Sequence, residues 1–238
     1  DKSSIPQLLD DTTSVVLFDE ILTSSDWQYL RPRTNPTAHY RDIKSLIGFL
    51  KRDRVTPERF REKVTQEIER TKNDPASISS RGQTKGQLKK EVQARIEGLN
   101  RSLEIADFYE AYELLKQERG LIDYNDALEL LVRIVEEYED VAATLRERHL
   151  YVLVDEHQDS TGIQNDFLQA VWGDVEKPNL FVVGDDRQLI YGFGGASLAY
   201  FEGFKSAFGK AKLITLTQNY RSTQVVLDTA EALLKSTM

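Results

Sequence analysis

The chain contains no cysteine, and its single methionine is the last residue, Met238. Without thiols there are no disulfides and no thiolate metal site, a composition that suits a reducing cytoplasm. The three histidines, His39, His149 and His157, do not form zinc-ligand spacing. No run of about 18 apolar residues occurs, so no membrane span is read. The opening Asp1-Lys2-Ser3-Ser4 lacks the basic start and apolar stretch of a signal peptide. Positive charge is also short: 31 Lys and Arg against 39 Asp and Glu leave a net charge of −8. That argues against a generic basic nucleic-acid binder, but not against a protein that grips nucleic acid in a local groove.

The 238 residues are enough for one large domain or two small ones, and a hydrophobic content of 40% supports a true core. Up to about Arg119 the pattern is helical and highly charged. Thr56-Pro57-Glu58 reads as a helix start: threonine caps, proline suits the first turn, and glutamate favours the positive end of the dipole. Phe60, Val64 and Ile68 form a narrow apolar stripe on that helix. Asn73 to Gly86 reads as a loop, and Ile105, Phe108, Tyr109, Tyr112 and Leu115 form a stronger helical face.

From Asp123 the texture changes. Asp123 is placed to cap a helix whose buried face is predicted as Ala127, Leu128, Leu131, Ile134, Val135 and Tyr138. Three continuous apolar runs follow, Tyr151 to Val154, Leu180 to Val183 and Leu213 to Leu216. Such runs suit parallel strands covered on both faces. Helical stretches separate them, near Ile163 to Trp172 and Ala199 to Phe208, which makes an α/β pattern. The three strands are therefore predicted to be parallel neighbours, with Asp155, Asp185 and Asn219 near one edge of the sheet.

Each strand end carries chemistry. Val154 is followed by Asp155 and Glu156. In an open α/β sheet ligands sit outside the carboxyl ends of strands, where a carboxylate can hold Mg²⁺ on nucleotide phosphates and a neighbour can activate water. A polar turn after a strand has the same composition. The second run ends in Gly184-Asp185-Asp186-Arg187-Gln188, with glycine permitting a tight exit. Gln188 can bond a phosphate oxygen or a water. Tyr191 and Phe193 follow among Gly192, Gly194 and Gly195; such aromatics either stack on unpaired bases or anchor the loop on the core. The third run leads to Gln218-Asn219-Tyr220-Arg221-Ser222. An arginine there either stabilises charge on a transferring phosphoryl group or makes a surface salt bridge.

Taken together, Asp155-Glu156-His157-Gln158-Asp159, Gly184 to Phe193 and Asn219-Tyr220-Arg221-Ser222 resemble motifs II, III and IV of the UvrD/Rep/PcrA-type superfamily 1 DNA helicases, in order and spacing. The close match runs from about Asp123 to Leu234. The resemblance implies an α/β fold, with residues 1–118 as a mostly helical 1B-like domain. Residues 119–238 would be the later part of the RecA-like 1A domain, a partial parallel sheet with flanking helices. It implies ATP and Mg²⁺ as cofactors. Asp155 would help hold Mg²⁺ and Glu156 would activate the hydrolytic water. Gln188 would sense the γ-phosphate and couple it to DNA. Tyr220 would stack on adenine and Arg221 would contact the γ-phosphate. Tyr191 and Phe193 would touch the bases of single-stranded DNA, and Gln158 and Asp159 would give supporting hydrogen bonds. The implied partners are single-stranded DNA and single/double-strand junctions, with 3′ to 5′ travel. Three positions depart from the pattern: Gly194 stands where arginine is common, Leu189 where serine is usual, and Arg187 where an acidic or small residue is common.

One part is absent. No Gly-x-x-x-x-Gly-Lys-Ser/Thr occurs, and Gly209-Lys210-Ala211 lacks both the hydroxyl and the preceding glycine. The resemblance places that phosphate loop upstream of Asp1, so both chain ends read as cuts within a longer protein. Two rival readings remain open: the motor part of a helicase–nuclease such as AddA or RecB, and a non-enzymatic DNA-binding module derived from a helicase. Arg81, Lys85, Lys89, Lys90 and Arg95 form either a contact for the DNA backbone or a solvated helix face.

Overall fold

The computed structural model describes residues 5–30, 38–79, 85–189, 197–209 and 211–237. The first half is built from β1 (Gln7–Leu8), α1 (Asp11–Ser24), α2 (Tyr40–Arg52), α3 (Pro57–Asn73) and α4 (Lys90–Glu118). Asp10 starts α1 by accepting from the Thr13 amide at 2.6 Å. Thr56 starts α3 by accepting from the Arg59 amide, with Pro57 in the first turn, as the sequence predicts. At about 1.5 Å per residue, the 29 residues of α4 extend roughly 43 Å.

Two cores lie along this long helix. In one, Leu17, Phe18, Ile21 and Leu22 of α1 and Ile43, Ile47 and Leu50 of α2 close on Phe108, Tyr109 and Tyr112 of α4. The Phe18 ring is its centre, with centroids of Tyr40, Phe108 and Tyr112 at 4.7, 4.9 and 5.0 Å. In the other, Val64 and Ile68 of α3 pack on Ile96 of α4, with Phe60 and Leu99 beside them. Glu104 of α4 holds the chain after α1, accepting from the amides of Gln28, Tyr29 and Leu30 at 2.6, 2.8 and 3.1 Å.

The second half comprises β2 (Leu121–Ile122), α5 (Tyr124–Glu137), α6 (Glu139–Arg148), β3 (Val152–Val154), α7 (Gly162–Trp172), β4 (Leu180–Val182), α8 (Leu198–Ala207) and α9 (Gln224–Thr237). The halves are stitched together. β1 pairs in parallel with β2, Gln7 against Leu121 and Leu8 against Ile122. Asp123 caps α5 in a reciprocal box with Asp126.

Those same two carboxylates, with Glu113, surround two lysines. Lys116 is 1% exposed and reaches Glu113, Asp123 and Asp126 at 2.9, 3.0 and 2.6 Å. Lys51 of α2 reaches Asp123 at 2.8 Å and Glu113 at 3.0 Å and also bonds Asp126. Burial pushes the Lys116 ammonium toward neutrality, but Glu113, Asp123 and Asp126 outweigh it and hold the group well above its ordinary value. Burial likewise raises Asp123, and Lys51 and Lys116 more than offset it, so its carboxyl lies below the usual range. Glu113, Asp123 and Asp126 stand close enough together to suggest a metal site, yet both ammonium groups already bond that cluster. A second tie is Arg54, which bonds Glu129 and Glu136 of α5 and reaches Asp166 of α7.

Three expectations are corrected here. Of the predicted α5 face, Val135 is buried against α6 and α7, Ala127, Leu128, Leu131, Ile134 and Tyr138 are exposed, and Val132, not predicted, is buried as well. Periodicity gives the stripe, but the packing partner decides which flank of it is covered. β3 and β4 pair in parallel, Val152 with Leu180 through Val154 with Val182, but among the described residues only one face is covered. Val152, Val154 and Leu180 lie on the Val171–Trp172 core, while Leu153 and Phe181 are 75% and 54% exposed. The run Leu213 to Leu216 is not a strand; it has no ladder partner among the described residues, and Leu213 is 84% exposed. β-propensity measures fit to a packed, paired surface, and no described residue supplies one there.

The lysine cluster is directly testable. Lys116→Met keeps side-chain length and leaves three carboxylates to share Lys51, so urea unfolding should show a loss of about 3–5 kcal/mol. A change below about 1 kcal/mol would mean that the cluster contributes no net stability.

Candidate nucleotide and nucleic-acid site

The pairing of β3 with β4 brings two polar strand exits to one sheet edge. The ladder continues past both strands: the Val183 amide donates to the Val154 carbonyl at 2.9 Å, and the His157 amide to the Val183 carbonyl at 2.9 Å. Asp155 and Glu156 therefore leave the sheet beside Gly184 and Asp185, as the sequence predicts for these two ends. The third end, Asn219, is not tied to them by a strand.

Between β3 and the 3₁₀ turn His157–Asp159, Glu156 takes a left-handed conformation, φ 47° and ψ 43°. This is uncommon for a residue with a Cβ. It is held from both sides, by the His157 amide on Val183 and by the Asp159 amide on the Glu156 carbonyl at 2.8 Å. The kink leaves the Asp155 and Glu156 side chains exposed while His157 and Gln158 turn into the core. Asp155 Oδ1 accepts from the Glu156 amide at 2.9 Å.

His157 is fully buried. Its Nε2 lies 3.0 Å from Asn165 Oδ1 of α7, and its ring packs between Phe201 and Phe204 of α8. Burial pushes the imidazole below its ordinary range, with the Asn165 contact opposing. Asn165 also donates to Ser160 Oγ and the Thr161 carbonyl, which closes the turn onto the start of α7. Gly162 allows α8 to approach that start: a Cβ there would meet the Tyr200 hydroxyl at 2.6 Å.

Gln158, 1% exposed, spans the two strand exits. Its Nε2 donates to Glu156 Oε2 at 2.7 Å, and its Oε1 accepts from the Asp185 amide at 3.1 Å. Gly184 makes this possible. A Cβ there would lie 2.4 Å from Gln158 Oε1 and 2.8 Å from the Phe201 ring, so the glycine serves close approach rather than a turn. Asp185 then caps the 3₁₀ turn Asp186–Gln188, accepting from the Arg187 amide at 3.0 Å and from Gln188 Nε2 at 2.8 Å.

The remaining candidates are placed less tightly. Tyr220 is 89% exposed, its hydroxyl donating to Gln218. Asn219 Oδ1 accepts from the amides of Arg221 and Ser222, both at 2.8 Å. Among the described residues Arg221 makes no ion pair. Tyr191 and Phe193 lie outside the described residues, as does Arg81. Lys85, Lys89 and Lys90 are exposed and Arg95 pairs with Glu67. Among the described residues no helix is long and apolar enough to cross a membrane.

Sequence reasoning gives Gln158 only a supporting role and misses its bridging position. The polar residue shortly after Glu156 is the available signal, but which way a 3₁₀ turn points a side chain depends on the left-handed kink.

Known proteins are similar to this chain in sequence. The model of the UvrD/REP helicase N-terminal domain family matches residues 7–209. The chain is 39% identical over 131 residues to DNA helicase II of Escherichia coli (strain K12), covering 54% of this chain and 18% of that protein. It is 29% identical over 161 residues to an ATP-dependent helicase/nuclease protein of Natranaerobius thermophilus, 65% of this chain and 13% of that protein. The ATP-dependent helicase/nuclease protein of Levilactobacillus brevis is 28% identical over 241 residues, 94% of this chain and 18% of that protein. The chain thus spans between 13% and 18% of the length of these relatives. A family match over most of the chain makes it a member of the UvrD/REP helicase N-terminal domain family.

Proposed function

We propose that the chain forms part of an ATP-driven DNA helicase that moves along single-stranded DNA, 3′ to 5′, and opens junctions with duplex. The observation that carries this reading is the shared sheet edge, where the carboxylates Asp155 and Glu156 meet the Asp185–Gln188 turn. Residues 1–118 are read as the 1B-like domain and 119–238 as the later part of the RecA-like 1A domain. The cysteine-free composition suits work in the cytoplasm.

Asp155 is an exposed carboxylate with one oxygen taken by a backbone amide, which suits a hard cation held through few protein oxygens and water. Asp155 would help hold Mg²⁺, which would supply positive charge to offset that of the nucleotide phosphates. Glu156 takes the proton of the attacking water as its oxygen bonds the γ-phosphorus and the bond to the β-phosphate oxygen breaks, releasing ADP and phosphate. Gln188 and Arg221 contact the γ-phosphate, and Tyr220 stacks on adenine. Tyr191 and Phe193 take up bases of the single strand.

The helicase/nuclease relatives give a second reading. They align over as much as 94% of this chain, against 54% for DNA helicase II, so the motor of a helicase–nuclease is compatible with the same site. A nuclease domain in the full-length sequence decides for it.

In the full-length protein Glu156→Gln should lower DNA-stimulated ATP hydrolysis by about 10²–10⁴ while ATP still binds. Near-normal turnover would move the base elsewhere, with Asp155 the first candidate. Residues 1–238 alone contain no phosphate loop and should show no DNA-stimulated hydrolysis, since amide cradle and lysine supply much of the phosphate affinity. Robust turnover by this segment, abolished by Glu156→Gln, would refute that. Phe193→Ala should weaken single-strand binding about ten-fold with the fold intact. Unchanged affinity with a stability loss of about 3–5 kcal/mol would make Phe193 a core anchor instead.

A further inference from the structure

Gln158 does something that its place in the core does not require. Its side-chain amide lies between a group that can only accept, the Glu156 carboxylate, and a group that can only donate, the Asp185 backbone N–H. Those two neighbours fix which end of the amide is which, because the reverse orientation would set acceptor against acceptor and donor against donor. No other side chain of this size supplies both a donor and an acceptor in that order. The path also continues. The residue whose amide Gln158 accepts, Asp185, takes Gln188 Nε2 on its own carboxylate at 2.8 Å. An unbroken chain of polar contacts therefore runs from Glu156 through Gln158 and Asp185 to Gln188.

We propose that Gln158 is a positioning residue that aims the Glu156 carboxylate according to the state of the Asp185–Gln188 turn. This rests on the helicase reading above. Gln158 touches neither nucleotide nor DNA in that reading; it acts through Glu156. The turn it reports on leads in sequence to Tyr191 and Phe193, so a strand of DNA that shifts the turn moves the Asp185 amide. That shift is passed to Glu156 by one rigid, buried amide. Two features fit a relay better than inert packing. The Glu156 end is exposed, so its carboxylate would be free to swing without this bond. Gly184 clears the space at the other end, where any Cβ would intrude to 2.4 Å of Gln158 Oε1.

The test uses the full-length protein that contains this chain. ATP hydrolysis is measured with and without single-stranded DNA for wild type, Gln158→Glu, Gln158→Met and Gly184→Ala, with thermal unfolding of each. Gln158→Glu keeps size and the acceptor toward Asp185 but loses the donor toward Glu156. Gln158→Met keeps size and loses both. Gly184→Ala leaves Gln158 in the sequence but pushes its oxygen away. All three should lower kcat by about ten- to hundred-fold, the scale of a misplaced reacting group. KM for ATP should stay within about three-fold, and the ratio of DNA-stimulated to basal rate should fall toward one. A merely structural glutamine would show lower thermal stability with kcat and the stimulation ratio of the folded protein kept, which overturns the relay. Wild type that hydrolyses no ATP with DNA overturns the helicase reading and the relay with it. An active, DNA-stimulated wild type with variants that match it overturns the relay alone.

Discussion

Five charged side chains packed against one another set the frame of this protein. Two ammonium groups, Lys51 and Lys116, lie almost wholly out of water, and such groups are costly to bury unless carboxylates surround them. Glu113, Asp123 and Asp126 supply that environment. Asp123 and Asp126 also cap each other's amides at the start of α5, so the helix can begin only where the lysines are. The position of α5 is thereby referred to α4 and α2. Arg54 extends the frame, holding its own left-handed φ of 51° while it bonds carboxylates on α5 and α7. The two-stranded β3–β4 sheet rests on those helices, so the orientation of its polar edge is inherited from ion pairs more than from a wide ladder.

On that edge the chain departs from regular geometry at Glu156, whose carboxylate it presents to solvent. Glu156 turns left-handed, and the next two side chains point inward as an anchor. His157 locks the turn to α7 and α8 through Asn165 and two phenylalanine rings. Strain at one residue is tolerated because the neighbouring amides over-determine it. A rigid backbone next to an exposed carboxylate limits how far that carboxylate can rotate away.

Much of this was legible in the sequence. Helix starts at Thr56 and Asp123 followed from capping chemistry, which is local and involves the residues' own amides. The parallel runs ending in Asp155 and Asp185 were readable because apolar continuity and a polar exit both lie within a few residues. What was not readable depends on partners distant in the chain. Of the predicted α5 face only Val135 is buried, against Leu168 and Val171 of α7, and the buried Val132 lay outside it, because packing partners and not the helix itself select the covered flank. Leu213 to Leu216 has the composition of a strand but no ladder beside it among the described residues. The reason for Gly184 is the side chain of Gln158, on the far side of α7, and the burial of Lys116 needs helices from both halves. The roles of Tyr220 and Arg221 rest on motif spacing, since their hydrogen bonds run to Gln218 and Asn219 rather than to the Asp155 edge.

The uncovered side of the β3–β4 sheet has a practical consequence. Leu153 and Phe181 form an apolar surface in water, beside strands short enough to leave backbone donors and acceptors at both margins. Such a surface is a template: it accepts another strand or another apolar layer with equal readiness from its own molecule or from a neighbour. Handled as an isolated segment, the protein would be expected to self-associate in a concentration-dependent way.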